Sequence, residues 1–85
     1  MASIKDIHLV KAPTAGAVGD LVRSVRKDGG LDQSSAAGLA GVGVRFFGDL
    51  ERGKPSVRLG LVLQVLDRLG LEVWIAPRGW RPNAR

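Results

Sequence analysis

The chain contains no cysteine, and this absence restricts what its 85 residues can fold into. A domain of this size buries only about 60% of the surface that its unfolded chain exposes, so its core alone gives marginal stability. Disulfides are excluded, and a structural zinc site is not expected, because His8 has no cysteine or second histidine to share a metal with. No metal or cofactor is therefore expected. We predict a single small domain that gains stability by oligomerisation.

The charge balance indicates the class of partner. Thirteen Lys and Arg residues against 8 Asp and Glu give a net charge of +5, which favours a polyanion such as nucleic acid or an anionic membrane face. The longest apolar run, residues 59–63, is too short to span a membrane, and residues 1–13 do not form a signal peptide. We expect a cytoplasmic, nucleoid-associated protein with no membrane partner. Because one histidine without cysteine or tyrosine builds no nucleophile and base pair, we do not expect an enzyme.

Three helices are predicted in the first half of the chain. Thr14 is a candidate N-cap for the first, which stops at two consecutive glycines, residues 29 and 30. Asp32 caps a short alanine-rich helix that ends near Ala40, where Gly41 can adopt a left-handed turn conformation. The third helix covers residues 44–51, and Phe47 and Leu50 form its inward stripe. The side chains left to solvent or a ligand are Arg45, Gly48, Asp49 and Arg52.

A fourth helix and one strand are predicted in the second half. Ser56 caps the helix, Gly70 ends it, and its inward positions are Leu59, Val62, Leu63, Leu66 and Leu69. Residues 71–77 form the strand, because apolar and polar side chains alternate before Pro77. The predicted organisation is an N-terminal arm at 1–12, a helical domain at 13–70, the strand, and a flexible polar tail at 78–85.

Residues 33–52 have the pattern of a helix-turn-helix unit. Ala37 is small where two crossed helices would touch, Gly41 permits the turn, and large apolar residues follow on the inward side of the second helix. This pattern favours a DNA-binding unit over a small helical bundle in which it is coincidental.

The run LDQSSAAGLAGVGVRFFGDLERGKPSVRLGLVLQVLDRLGLEVWIAP resembles the Cro/repressor-type (Xre family) helix-turn-helix of HipB-like antitoxins. The segments LERGKPSVRL and LDRLGLEVWI carry most of the resemblance. It implies a mainly α, lambda-repressor-like domain of four to five helices whose C-terminal strand pairs across a homodimer. It also implies a transcriptional autorepressor of a HipBA-type toxin-antitoxin operon, which binds an inverted repeat in double-stranded operator DNA and neutralises a HipA-like serine/threonine kinase toxin.

The sequence departs from the family pattern at four positions, namely Asp32, Ala36, Gly43 and Gly48. Glycines supply no side chain to base edges, so readout is expected to use few direct base contacts. Two alternatives to the antitoxin stay open, the first suggested by Gly43, Gly48 and Asp49 and the second decided by whether a kinase gene lies beside this one. One is a protein-interaction module of the same fold with little specific DNA binding, and the other is a stand-alone repressor without a toxin.

The predicted DNA-binding residues divide by chemistry. Arg45, near the start of the third helix, is the candidate for base readout, because a guanidinium can bind a guanine edge with two hydrogen bonds. Gln33 is expected to hold a phosphate, brace Arg45 or cap its helix, and Glu51 to form an internal ion pair or a helix contact. Asp49 would repel phosphates. The complete predicted set is Gln33, Gly43, Val44, Arg45, Gly48, Asp49, Arg52, Lys54 and Arg58, in which the last three are phosphate contacts.

The aromatic residues divide between the predicted core and two predicted protein interfaces. Phe47 is expected in the core, and Phe46 packs beneath the next helix or touches a thymine methyl group. Trp74 is hard to place in the core of one short chain, so the strand is predicted to dimerise through Leu71, Val73, Trp74 and Ile75. A toxin contact is predicted in the tail through Trp80, Arg78 and Arg81.

Overall fold

The computed structural model describes residues 9–80, and it is mainly α-helical, as predicted. Four helices follow one another: α1 at Ala15–Asp28, α2 at Gln33–Ala40, α3 at Val44–Glu51 and α4 at Leu59–Arg68. No strand is assigned between residues 9 and 80. Over the same residues, no helix has the length and apolarity needed to cross a membrane. His8, most of the predicted N-terminal arm, and Arg81 lie outside the described residues.

The first two helices begin at the predicted caps. The Thr14 hydroxyl accepts a hydrogen bond from the Ala17 amide at 3.0 Å, and the Asp32 carboxylate accepts one from the Ser35 amide at 2.7 Å. Each bond satisfies an amide that has no partner within its own helix. Gly41 ends α2 with φ of 73°, a left-handed conformation that favours glycine and turns the chain towards α3. The predicted bounds of α3 are also confirmed.

The predicted start of α4 is wrong. Ser56 does not cap this helix; the N-cap is Arg58, which makes no side-chain capping hydrogen bond. Residues 55 and 56 instead lie in a turn, and Val57 after them packs against the core. Val57 is partly buried and the helix begins only at Leu59, so tertiary contacts override the local capping signal of Ser56.

The core lies where the four helices converge. Its largest fully buried side chains are Val22 of α1, Phe47 of α3 and Val65 of α4, packed against the three buried alanines of α2. The predicted inward stripe of α4 is partly wrong, since Leu59 is 69% and Leu63 is 44% exposed. Apolar residues occupy more than one face of α4, so periodicity alone did not identify the buried face.

Gly19 sets the close approach of α1 to α3. A Cβ at this position would collide with the Leu50 carbonyl oxygen and lie 2.8 Å from that of Glu51. Both obstacles are backbone atoms, which cannot move aside as a flexible side chain can. Only glycine therefore allows this crossing, which places the C-terminal end of α3 against α1.

The segment after α4 is not helical. Residues 71–77 have no assigned secondary structure, and Val73, Trp74 and Ile75 are 55%, 64% and 96% exposed. A strand requires a hydrogen-bonded neighbour. The predicted dimerisation strand therefore stays a prediction about an assembly of two chains.

Candidate nucleic-acid interface

Helices α2 and α3 form a unit of two helices joined by a tight turn. The Val42 amide closes the turn by donating to the Ala37 carbonyl at 3.0 Å, and Gly43 is the N-cap of α3. Phe47 anchors α3 in the core, while Phe46 is half-buried and packs against the same core. The predicted place of Phe46 beneath the start of α4 stays a prediction. The opposite face of α3 is left exposed.

The exposed face of α3 presents a row of charged side chains. Arg45, Asp49 and Arg52 are spaced by four and three residues, which places them on one side of a helix. Arg45 is exposed, and no salt bridge of its side chain occurs among residues 9–80. Val44 beside it is 51% exposed. The first turn of α3 thus offers one unpaired guanidinium and one apolar side chain to a ligand.

Asp49 is paired with two of the predicted phosphate contacts. One of its carboxylate oxygens accepts a hydrogen bond from Arg52, and the other lies 3.7 Å from the Lys54 Nζ. The side chain of Asp49 is only 21% exposed, whereas those of Arg52 and Lys54 are 68% and 54% exposed. The sequence indicated an exposed carboxylate that would repel phosphates. Asp49 is instead paired with two cations and partly buried.

Gly48 is buried, so the prediction that it faces solvent is wrong. A Cβ at this position would lie 3.2 Å from an Arg52 Nη atom and 3.6 Å from the Gln33 side-chain oxygen. Both side chains therefore approach the space that the glycine leaves open. The structure thus brings Gln33 and Gly48 together with the group formed by Asp49, Arg52 and Lys54.

Beneath this surface lies a buried ion pair. The Arg26 guanidinium donates to both Glu51 carboxylate oxygens, at 2.6 and 3.0 Å, and to the Leu31 carbonyl at 2.9 Å. The Gln33 amide donates to Glu51 at 2.9 Å. Of the two roles predicted for Glu51, the internal ion pair is the one that the structure shows. Gln33 does not cap α2, because Asp32 does so, and its amide nitrogen braces Glu51 rather than Arg45.

The pKa values of this pair follow from its surroundings. Burial raises the pKa of Glu51, but hydrogen bonds from Arg26 and Gln33 and the charge of Arg26 outweigh burial, and the net pKa is lowered. The hydrogen bond to Glu51 raises the pKa of Arg26 above its already high value, against the effect of burial. The lowered pKa of Glu51 and the raised pKa of Arg26 both favour the charged forms, so the pair is ionised at neutral pH. Arg26 was not identified from the sequence, since nothing local distinguishes it from other helical arginines.

The other predicted residues lie apart from this group. Arg58 is exposed at the N-cap of α4, and no salt bridge holds it among the described residues. Arg78 is exposed and Trp80 is 49% exposed, both beyond α4. Among the described residues, no hydrogen bond or salt bridge joins the side chains of Arg58, Arg78 or Trp80 to the row on α3.

A second exposed surface, the apolar groove, was missed from the sequence. It has a volume of about 320 Å³ and lies between α1, α4 and the segments flanking them. Its lining includes Leu9, Val10, Leu59, Leu63, Leu71 and Trp74. The signal that could have revealed it is the excess of apolar residues on α4, more than one buried face requires.

Comparison with known proteins identifies the family. The chain is 52% identical over 68 residues to y4mF of Sinorhizobium fredii, described as an uncharacterized HTH-type transcriptional regulator. The match covers 80% of this chain and 90% of that protein. The chain belongs to the HTH-type transcriptional regulators. No protein-family model matches it.

A solved structure supports the fold of this HTH-type regulator. The chain matches a HipB variant in a complex with an O2 20mer, at a TM-score of 0.74 and 17% identity, over 84% of this chain and 99% of that one. The predicted resemblance to HipB-like helix-turn-helix regulators is therefore confirmed at the level of fold. The prediction that the chain is not an enzyme is confirmed by its membership of a regulator family.

Proposed function

We propose that this HTH-type regulator binds double-stranded DNA by inserting α3 into the major groove and represses transcription. One observation carries the proposal: the exposed face of α3 begins with Arg45, which forms no salt bridge within residues 9–80, and is followed by the exposed cations Arg52 and Lys54. An HTH unit uses the N-terminal residues of its second helix to contact base edges. The net charge of +5 favours the same partner.

Base readout is assigned to the first turn of α3. Arg45 donates to a guanine edge, and Val44 contacts a thymine methyl group. Gly43 has no side chain, so the backbone at the start of α3 can approach the DNA. The buried Gly48 contributes no base contact of its own and instead leaves space for Arg52 and Gln33.

Phosphate binding is assigned to the C-terminal end of α3 and the start of α4. Arg52, Lys54 and Arg58 are exposed cations in this part of the chain. The Gln33 side chain, oriented by its hydrogen bond to Glu51, stands beside Arg52 at the beginning of α2. Phosphate contacts of this kind fix the position of a protein on the duplex without reading sequence.

The experiment that tests DNA binding is a gel-shift titration with the duplex that lies upstream of the chain's own coding sequence. A duplex of the same length and composition in scrambled order is the control. We expect tighter binding to the upstream duplex by at least tenfold. Equal binding to both duplexes would favour the alternative of a protein-interaction module with little specific DNA binding. Binding to neither duplex would contradict the proposal.

We also propose a homodimer. The exposed apolar residues of the groove and of residues 71–77 form one continuous apolar region, in which Trp74 is 64% and Leu59 is 69% exposed. Pairing of two such segments would satisfy their edges through Leu71, Val73, Trp74 and Ile75. The dimer would place two α3 helices about 34 Å apart, which suits an inverted repeat.

The dimer is tested by sedimentation of Val73→Pro. Proline removes a backbone donor from the ladder, so we expect monomers at concentrations where the native chain is dimeric. Val73→Thr keeps the amide and the branched side chain and is the matched control. An intact Val73→Pro dimer would show that residues 71–77 are not the interface.

The antitoxin role is proposed from the HipB-like fold. A HipA-like kinase toxin would bind away from α3, and the exposed Trp80 and Arg78 supply an aromatic anchor and a cation for it, together with Arg81. Deleting residues 78–85 should weaken binding of a kinase encoded beside this chain and leave DNA binding unchanged. Loss of DNA affinity with unchanged kinase affinity would contradict this role, and absence of such a kinase gene would favour the stand-alone repressor.

A further inference from the structure

Asp49 is a carboxylate at the C-terminal end of α3, and the stability that it adds to the fold does not explain why it is there. It lies in the last turn of α3, where the negative end of the helix dipole disfavours a carboxylate. Its two partners, Arg52 and Lys54, are more than half exposed. Ion pairs with exposed members contribute little to stability, because water and salt screen them and long side chains lose freedom.

The same carboxylate divides the cations of the proposed interface into two kinds. Each oxygen of Asp49 has its own cation, Arg52 at one and Lys54 at the other. Arg45 lies one turn before Asp49 on the same face of α3 and is not paired with it. Two of the three cations assigned to phosphates are thus partly neutralised, while Arg45, the cation assigned to base readout, has no salt bridge among residues 9–80.

We propose that Asp49 is an internal counter-ion that limits phosphate binding by Arg52 and Lys54. The inference rests on the proposed function of α3 in DNA binding. A DNA phosphate must compete with the Asp49 carboxylate for both cations. Sequence-independent binding comes almost entirely from phosphate contacts, so this competition weakens binding to every duplex through its backbone. Arg45 contacts base edges and is unaffected.

The test compares the full chain with Asp49→Asn by fluorescence anisotropy on a mixed-sequence 20-base-pair duplex, titrated at several salt concentrations. Loss of the carboxylate should tighten binding by up to about fivefold, the equivalent of an exposed ion pair. The slope of log affinity against log salt should steepen by about one unit, because the freed cations displace more counterions. The melting temperature should remain nearly unchanged.

Two controls separate competition from other effects. Asp20→Asn removes one exposed negative charge from α1, and Asp49→Glu keeps a carboxylate within reach of the same cations. Both should bind like the native chain. In an Arg52→Ala/Lys54→Ala background, Asp49→Asn should produce no further gain, because the carboxylate acts through these two residues.

The possible outcomes distinguish this inference from the proposed function. If the native chain binds no duplex, both fail. If the native chain binds but Asp49→Asn leaves affinity and salt slope unchanged, the inference alone is wrong. A loss of affinity would show instead that Asp49 pre-organises the cations for DNA. An equal gain in Asp20→Asn, or a gain that persists in the background lacking both cations, would attribute the effect to overall charge and overturn the inference.

Discussion

Asp49 and Glu51 are two residues apart on α3, yet their ion pairs occupy opposite environments. Glu51 points inward, with its side chain 3% exposed, and binds Arg26 across the interface between α1 and α3. Asp49 points outward and binds cations that are largely exposed. We call Arg26–Glu51 the inner pair and Asp49 with Arg52 and Lys54 the outer pair. The inner pair holds α1 and α3 together, and the outer pair limits the affinity of the surface for phosphates.

The physical reason is the surrounding medium. Inside the protein an unpaired charge is strongly disfavoured, so removing one member of a buried pair has a large effect on stability. At the surface, water solvates each charge separately. A cation can therefore exchange a carboxylate partner for a phosphate with little change in free energy. Breaking each pair in turn tests whether this division is correct.

The largest expected effect is on stability at the inner pair. Glu51→Gln should lower the free energy of unfolding by about 3 kcal/mol, because it leaves the Arg26 charge buried without its counter-charge. The outer substitution, Asp49→Asn, should change it by less than about 1 kcal/mol. Urea unfolding followed by circular dichroism measures both.

The double variant Arg26→Met/Glu51→Leu serves as the control for this prediction. It removes both charges and fills the space with apolar side chains, so it should recover most of the lost stability. A loss as large as that of Glu51→Gln alone would indicate that the hydrogen bonds to Leu31 and Gln33 matter more than the buried charge. Equal effects of Glu51→Gln and Asp49→Asn would remove the distinction between inner and outer pairs.

The Arg26–Glu51 pair should also make the stability of the fold depend on pH. The pKa of Glu51 is lowered in the folded chain, so the unfolded chain takes up this proton first as the pH falls. The Arg26–Glu51 pair therefore contributes fully to the free energy of unfolding above about pH 4.3, the ordinary glutamate pKa. This contribution is lost as the pH falls through the lowered pKa of Glu51 in the folded chain. Melting temperatures between pH 2 and 7 should fall less steeply for Glu51→Gln.

Some pH dependence will remain in that variant. The pKa of Asp32 is also lowered, by hydrogen bonds from Ser35 at the N-terminus of α2, and this residue is unchanged. Identical pH profiles for the native chain and Glu51→Gln would contradict the assigned role of the inner pair.

A smaller effect is expected at the free cation. Arg45→Ala should weaken binding to the upstream duplex by about 2 kcal/mol and leave binding to a scrambled duplex nearly unchanged, because base contacts carry the discrimination. Lys27→Ala, which removes an exposed cation from α1, is the matched control. Comparable losses on both duplexes would place Arg45 among the phosphate contacts.

The smallest expected effect is at one paired cation. Arg52→Ala should flatten the slope of log affinity against log salt by about one unit and weaken binding to all duplexes alike. Asp49 and Lys54 remain, so the surface keeps part of its charge. A loss confined to the upstream duplex would instead assign Arg52 to base readout.

Local chemistry made the first three helices predictable. Thr14, Asp32 and Gly41 end or begin helices through hydrogen bonds and backbone geometry that involve only nearby residues. The start of α4 was not predictable in this way, because the burial of Val57 depends on the other helices. Of the candidate site, the cations on α3 were predictable from helical spacing.

The errors at the site have one common cause. The Gln33 side chain of α2 approaches Gly48 of α3, and Glu51 binds Arg26 across 25 positions of the chain. Such contacts between distant residues leave no local sequence signal. The exposure of Leu59 and Leu63 was missed for a related reason, since only the packing of α4 decides which of its apolar faces is inside.

We propose that the exposed face of α3 binds DNA while the apolar face of α4 does not. A titration of the ¹⁵N-labelled chain with the upstream duplex, followed by amide chemical shifts, tests it most directly. We expect shifts concentrated at residues 43–54 and at the start of α2, with little change at residues 59–66. Shifts concentrated at residues 59–66 and 71–75, with α3 unperturbed, would contradict it.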